Sequence, residues 1–89
     1  MIEQTIKIQN KLGLHARAAA KLVSHASRFS SLVEITKGDQ TVNGKSIMGV
    51  MMLAASIGTS LLLRIKGDDE QAAMDDIVEL INNRFGEDE

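Results

Sequence analysis

No cysteine occurs in these 89 residues, so disulfides, thiol nucleophiles, iron–sulfur clusters and every cysteine-based zinc site are excluded. Two histidines, His15 and His25, are too few for a three-histidine metal centre, and no metal site or cofactor is expected. Tryptophan and tyrosine are absent and phenylalanine occurs only twice, which removes the aromatic platform on which RNA- and single-strand-binding sheets stack bases. Proline is absent too, and no low-complexity stretch or linker interrupts the chain, so one domain over residues 1–89 is expected. The longest run of small and apolar residues, Ile47 to Ala55, falls far short of the roughly 18 needed to cross a bilayer. The first residues, MIEQTIK, lack the apolar core of a signal peptide, so a cytoplasmic location without membrane insertion is expected.

What is present is an ordinary globular balance, 44% hydrophobic and 25% charged. A domain of this size has roughly 3–5 kcal/mol of stability, too little to support extended active-site machinery. The net charge of −2 conceals an asymmetry: residues 1–45 carry seven Lys/Arg against three Asp/Glu, and residues 46–89 carry three against nine. Solvated faces with an acidic helix start and tail would account for this. A basic docking face for an acidic partner or a phosphate, built from Lys11, Arg17, Lys21, Arg28 and Lys45, is the sharper reading. Nucleic acid is not expected as a partner, because the whole chain is acidic and the basic set small.

Residues 2–8 alternate, with Ile2, Ile6 and Ile8 opposite Glu3, Thr5 and Lys7, which predicts a half-buried strand. Asn10–Gly13 reads as a loop. From Ala16 to about Phe29 the period becomes helical, with Ala16, Ala19, Ala20, Val23 and Ala26 on one stripe that Leu22 and Phe29 widen. Leu32–Lys37 and Gln40–Asn43 read as a hairpin about Gly38-Asp39. Ser46 reads as the N-cap of a short helix to about Ala54. Ser60–Lys66 is a strand with Leu61, Leu63 and Ile65 on one face. Asp68 to Arg84 is an amphipathic helix with Ala73, Ile77, Leu80 and Ile81 inward, an Asp68/Gln71 capping box, and Gly86 as a stop. The order β-α-β-β-α-β-α predicts a two-layer α+β sandwich.

The chemistry-bearing segment is Gly13-Leu14-His15-Ala16-Arg17, where the first loop meets the first helix. Unpaired N–H groups and the positive dipole end favour an anion there, and the same field favours a neutral, nucleophilic imidazole. Arg17 adds a guanidinium within reach of a phosphate carried by that ring, and Gly13 permits close approach of the loop backbone. A surface histidine that merely starts a helix is the alternative. His25, nearly three turns on, shows no partner and is expected at a helix edge, and Asp75, Asp76 and Glu79 are expected on a solvated face. Gly44-Lys45-Ser46 is not a P-loop, since five residues rather than four separate Gly38 from Gly44. Ser46 is sufficiently explained as a helix cap, with phosphorylation at a helix start as the functional alternative. Ile47, Met48, Met51 and Met52 crowd the short helix, either as core filling or as an exposed docking patch. No Ser-His-Asp spacing, HExxH or GxSxG occurs, so turnover by the chain alone is not expected.

Asn10-Lys11-Leu12-Gly13-Leu14-His15-Ala16-Arg17 resembles the phosphorylation motif of the HPr family, the histidine-containing phosphocarriers of the bacterial phosphoenolpyruvate-dependent sugar phosphotransferase system. Gly44-Lys45-Ser46-Ile47-Met48-Gly49, with Met51, Met52 and Leu53, resembles that family's second motif, around its regulatory serine. The two motifs at their family separation, in a chain of the family's length, make the resemblance specific over essentially all of it. It implies an open-faced β-sandwich, a four-stranded antiparallel sheet with three helices on one face. It implies that His15 accepts a phosphoryl group at Nδ1 from phosphorylated enzyme I and passes it to IIA-type proteins, as a carrier rather than an enzyme. Arg17 would be the supporting cation, with the helix start at Ala16 and Ala18 holding the phosphate. Ser46 would be the target of an HPr kinase/phosphorylase, and Ala20, Ile47, Met48 and Met51 would dock partners. A diffusing carrier is expected to be a monomer. Where the family motif usually has proline after the arginine, this chain has Ala18, which keeps the helix and adds one N–H donor. The segment Asn82–Glu89 resembles the nitrogen-related branch, and the Ser46 region the carbohydrate branch. A nitrogen-branch regulatory carrier and an interaction module using the Ile47–Met52 patch are the alternative readings.

Overall fold

Four strands alternate apolar and polar residues, and the register of the sheet turns that alternation into one dry face. In a computed structural model describing residues 1–89, β1 (Ile2–Lys7), β2 (Leu32–Lys37), β3 (Gln40–Asn43) and β4 (Ser60–Lys66) form one antiparallel sheet in the order β1-β4-β2-β3. Cross-strand partners match apolar to apolar: Ile6 faces Leu61, Ile65 lies between Ile2 and Val33, and Ile35 lies between Leu63 and Val42. The other face pairs polar groups. Arg64 sits between Glu3 and Glu34 and its Nε is 2.8 Å from Glu3 Oε2, while the Thr36 and Thr41 hydroxyls lie 2.8 Å apart. A one-residue slip would exchange the two faces, so the register is strongly specified.

Three helices cover the apolar face: α1 (Ala16–Ala26), α2 (Ile47–Met52) and α3 (Glu70–Asn82), followed by a 3₁₀ turn at Arg84–Gly86. The expected order and fold class are thus present. Ala18, Ala19, Leu22 and Ala26 of α1, Val50 of α2, and Ala73, Met74, Ile77 and Ile81 of α3 meet the strands in a single 20-residue core. Each fully buried Leu or Ile there contributes about 1.5–3 kcal/mol. Alanines at the contacting positions of α1 let its backbone lie close to its neighbours.

The departures from expectation lie at helix ends and faces. α1 stops at Ala26 rather than Phe29, because Arg28 and Phe29 donate to carbonyls three residues back and tighten the last turn. Its buried stripe includes Ala18, while Ala16 and Ala20 are exposed. With alanine at positions 16, 18, 19 and 20, composition could not distinguish the faces. α2 ends at Met52, and Ala54, at φ 50°, turns the chain away. The first turn of α3 is built on Asp69 rather than on an Asp68/Gln71 capping box. Asp69 is its N-cap, and Glu70 Oε1 reaches back to accept from Gly67 N–H at 3.0 Å. No helix is long and apolar enough to cross a membrane.

Candidate functional site

Gly13 sets the approach to His15. Its φ of +69° is a conformation that side chains disfavour, and a Cβ there would lie 2.4 Å from the Ala55 carbonyl oxygen. Only glycine brings the loop this close to the segment after α2. The next residue locks the approach, since Leu14 N–H donates to the same oxygen at 2.8 Å and its side chain is buried. Asn10, fully buried, closes the loop from inside by donating from Nδ2 to Gly13 O at 2.8 Å.

His15 then enters α1 as its N-cap, in extended conformation (φ −72°, ψ 175°). Its carbonyl accepts from Ala19 N–H at 2.8 Å, so the helix has begun, yet its ring makes no capping bond. The N–H groups of Ala16, Arg17 and Ala18 precede the first intrahelical donor and form the positive end of the helix. Arg17 shares with His15, Lys11 and Glu87 a surface hollow of about 360 Å³. The structure therefore places His15, Arg17 and the helix start together, as the sequence motif suggested.

Sequence reasoning missed Glu87 and the role of Asn10. The residues after α3 fold back along the site, and Glu87 Oε2 is in hydrogen-bond contact with His15 Nε2. Its other oxygen, Oε1, accepts from Asn10 Nδ2 at 3.0 Å. Burial opposes ionisation of Glu87, but the hydrogen bonds from His15 and Asn10 and the nearby positive charge of Lys21 outweigh it. They hold the carboxyl below the ordinary glutamate range. The His15 Nδ1 edge has no hydrogen-bond partner. No local signal announced Glu87, which lies 72 positions from His15 in the chain.

Ser46, half-buried, caps α2 as expected, its Oγ accepting from Gly49 N–H at 3.1 Å. Behind it Ile47, Met48, Met51 and Met52 stand at 44%, 73%, 41% and 66% exposure, so this cluster is surface rather than core filling. Ala20 is exposed on α1, which packs beside α2. His25, expected to lack a partner, has its Nδ1 2.7 Å from Asp76 Oδ2, so Asp76 ties α3 to α1 rather than lying free on a solvated face.

The family profile described as "PTS HPr component phosphorylation site" matches residues 2–83. Phosphocarrier protein HPr of Neisseria meningitidis is 56% identical over 89 residues, covering both chains in full. The crystal structure of HPr-C-His from Thermoanaerobacter tengcongensis superposes with a TM-score of 0.96 at 49% identity, again with both chains fully covered. An HPr dimer from the same organism superposes at 0.79 and 50% identity, covering 98% of this chain and 100% of that one. Full-length sequence identity, the shared fold and the position of His15 at the start of α1 lead to one conclusion: the chain belongs to the HPr family of phosphocarrier proteins of the phosphotransferase system.

Proposed function

We propose that His15 accepts a phosphoryl group at Nδ1 from phosphorylated enzyme I, itself charged by phosphoenolpyruvate, and donates it to IIA-type proteins. The observation that carries this is the His15 ring at the N-cap of α1, its Nδ1 without a hydrogen-bond partner, with Arg17 lining the same hollow and the first helix N–H groups unpaired. Phosphoryl transfer asks the protein mainly for positioning and charge stabilisation. The imidazole supplies the lone pair. Arg17 and the N–H groups of Ala16 and Ala18 face the dianion, the guanidinium through paired hydrogen bonds. The chain acts as a carrier, a single cytoplasmic domain that diffuses as a monomer between donor and acceptor.

Ala20, Ile47, Met48 and Met51 form the docking surface in this reading, an apolar patch next to the site. Exposed methionines suit a surface that must fit more than one partner. Ser46, at the head of that patch, is the regulatory position for an HPr kinase/phosphorylase. A phosphate there adds roughly −1.5 to −2 charge beside apolar docking residues and weakens partner binding. Sugar uptake and a nitrogen-related relay share this chemistry and differ in partners.

Incubation with phosphoenolpyruvate, magnesium and enzyme I tests the proposal. Intact mass is expected to show one phosphoryl gain in the wild type, lost on brief acid treatment and absent from His15→Ala. An unmodified wild type, or an adduct that persists in His15→Ala, would remove the carrier function and leave the chain an interaction module. Restoring proline at position 18 separates loss through Ala18 from loss of the function as a whole.

A further inference from the structure

The two edges of the His15 ring are in different states: Nε2 is hydrogen-bonded to a carboxylate and Nδ1 has no hydrogen-bond partner. We propose that Glu87 is a positioning residue for phosphoryl transfer, its carboxylate holding a proton on His15 Nε2 so that the lone pair stays on Nδ1. This rests on the reading of His15 as the phosphoryl acceptor. A neutral imidazole has one N–H and one lone pair, and the hydrogen bond made by one nitrogen decides the state of the other. A carboxylate can only accept, so the nitrogen facing it must be the donor.

The carboxylate and the main chain that carries it are each held in place. Asn10 Nδ2 donates to its second oxygen at 3.0 Å and to Gly13 O at 2.8 Å, so one buried amide ties Glu87 to the loop that carries His15. Lys21 Nζ donates to Phe85 O at 2.6 Å, and Lys11 N–H donates to Glu89 O at 3.0 Å, fixing the main chain before and after Glu87. Phe85 is fully buried beneath the segment. Arg84 and Phe85 adopt φ of 55° and 54°, a left-handed conformation unusual outside glycine. Such strain persists only where surrounding contacts over-determine it. Here its effect is to turn the chain after α3 back across α1, which is what delivers the Glu87 side chain to His15.

The charge balance of the transfer explains what the contact contributes. The Nδ1 lone pair forms the new nitrogen–phosphorus bond, while the donor's bond to phosphorus breaks and its electron pair returns to the donor atom. The Nε2 proton stays in place, so the ring gains positive charge as the bond forms, and the fixed carboxylate faces that charge. On donation to the next protein the same steps run in reverse. The phosphoryl group meanwhile occupies the opposite edge of the ring, so Glu87 need not move.

The test pairs spectroscopy with transfer rate. Long-range ¹H–¹⁵N spectra of the unphosphorylated protein, recorded well above the histidine titration range, report which ring nitrogen carries the proton. The variants are Glu87→Ala, Glu87→Gln and, as a control with the same loss of charge far from the site, Glu79→Gln on α3. The wild type and Glu79→Gln are expected to show His15 as the Nε2–H tautomer alone. Glu87→Ala is expected to show a tautomer mixture and at least a tenfold slower gain of phosphoryl, with Glu87→Gln between them. Urea midpoints identify any loss caused by unfolding. A proton on Nδ1 in the wild type, or an unchanged tautomer and rate in folded Glu87→Ala, would overturn the proposal. Failure of the wild type to accept phosphoryl would instead overturn the acceptor reading, and the spectra would still decide whether Glu87 sets the tautomer.

Discussion

The placing of His15 depends on one glycine before it and one carboxylate far beyond it. Gly13 and Gly38 both lie at positive φ, +69° and +60°, but their surroundings differ. An added Cβ at Gly38 meets nothing within 4 Å, whereas at Gly13 it meets the Ala55 carbonyl at 2.4 Å. Gly38→Ala should therefore cost only the conformational penalty, about 1–2 kcal/mol. Gly13→Ala should cost more, because the loop must also move off backbone that cannot yield. Urea midpoints of the two variants check this order, and equal losses would mean that the Gly13 contact relaxes freely. His15, Arg17 and Gly13 were legible in the sequence because they fall within five residues and their chemistry is local. Asn10 and Glu87 were not, since a contact across 72 positions leaves no periodicity or spacing to read.

The strands were legible because one face of the sheet is dry and the other polar, which imposes a period of two on every strand. The ranges expected for β2, β3 and β4 are those observed, and β1 is shorter by one residue, Ile8. Helix ends were less legible because they depend on tertiary partners. At α3, the Asp69 carboxylate leaves its own helix to accept from the backbone N–H groups of Ser30 and Ser31 at 2.9 and 3.0 Å and from both serine hydroxyls. It thus clasps the turn before β2. These bonds, the Ser31 hydroxyl foremost and the Ser30 N–H next, push its pKa down from 3.8 to about 2. The folded state thus holds this proton less tightly than the unfolded chain. The contribution of the clasp is complete above pH 4 or so, falls as pH drops from 3.8 towards 2, and is gone below that. Asp69→Asn should lower stability at pH 7 and lose less on acidification, so that the two proteins converge near pH 2. Urea titrations at several pH values measure this, and parallel curves for the two proteins would refute the clasp.

Across the whole molecule, one sheet with helices on one face places α1 beside α2 and folds the C-terminal residues back over the start of α1. That arrangement gathers His15, an anion-favouring helix start and an exposed apolar patch within two neighbouring helices. The charge asymmetry read from the sequence falls partly on this arrangement, since basic Lys11 and Arg17 share a hollow with His15 and Lys21 lies by the returning chain at Phe85. The acidic tail meanwhile supplies Glu87. Composition could show that both charges were present, but only the fold could show that the tail turns back to meet the basic segment. In the proposed function the molecule receives a phosphoryl group in order to give it away. The most direct measurement isolates the phosphorylated protein free of enzyme I, adds a IIA protein, and follows the intact mass of both over time. The phosphoryl group is expected to leave this chain and appear on the acceptor in equal amount, far faster than it is lost to water alone. A phosphorylated protein that only hydrolyses in the presence of IIA proteins of both the sugar and the nitrogen-related branch would contradict it.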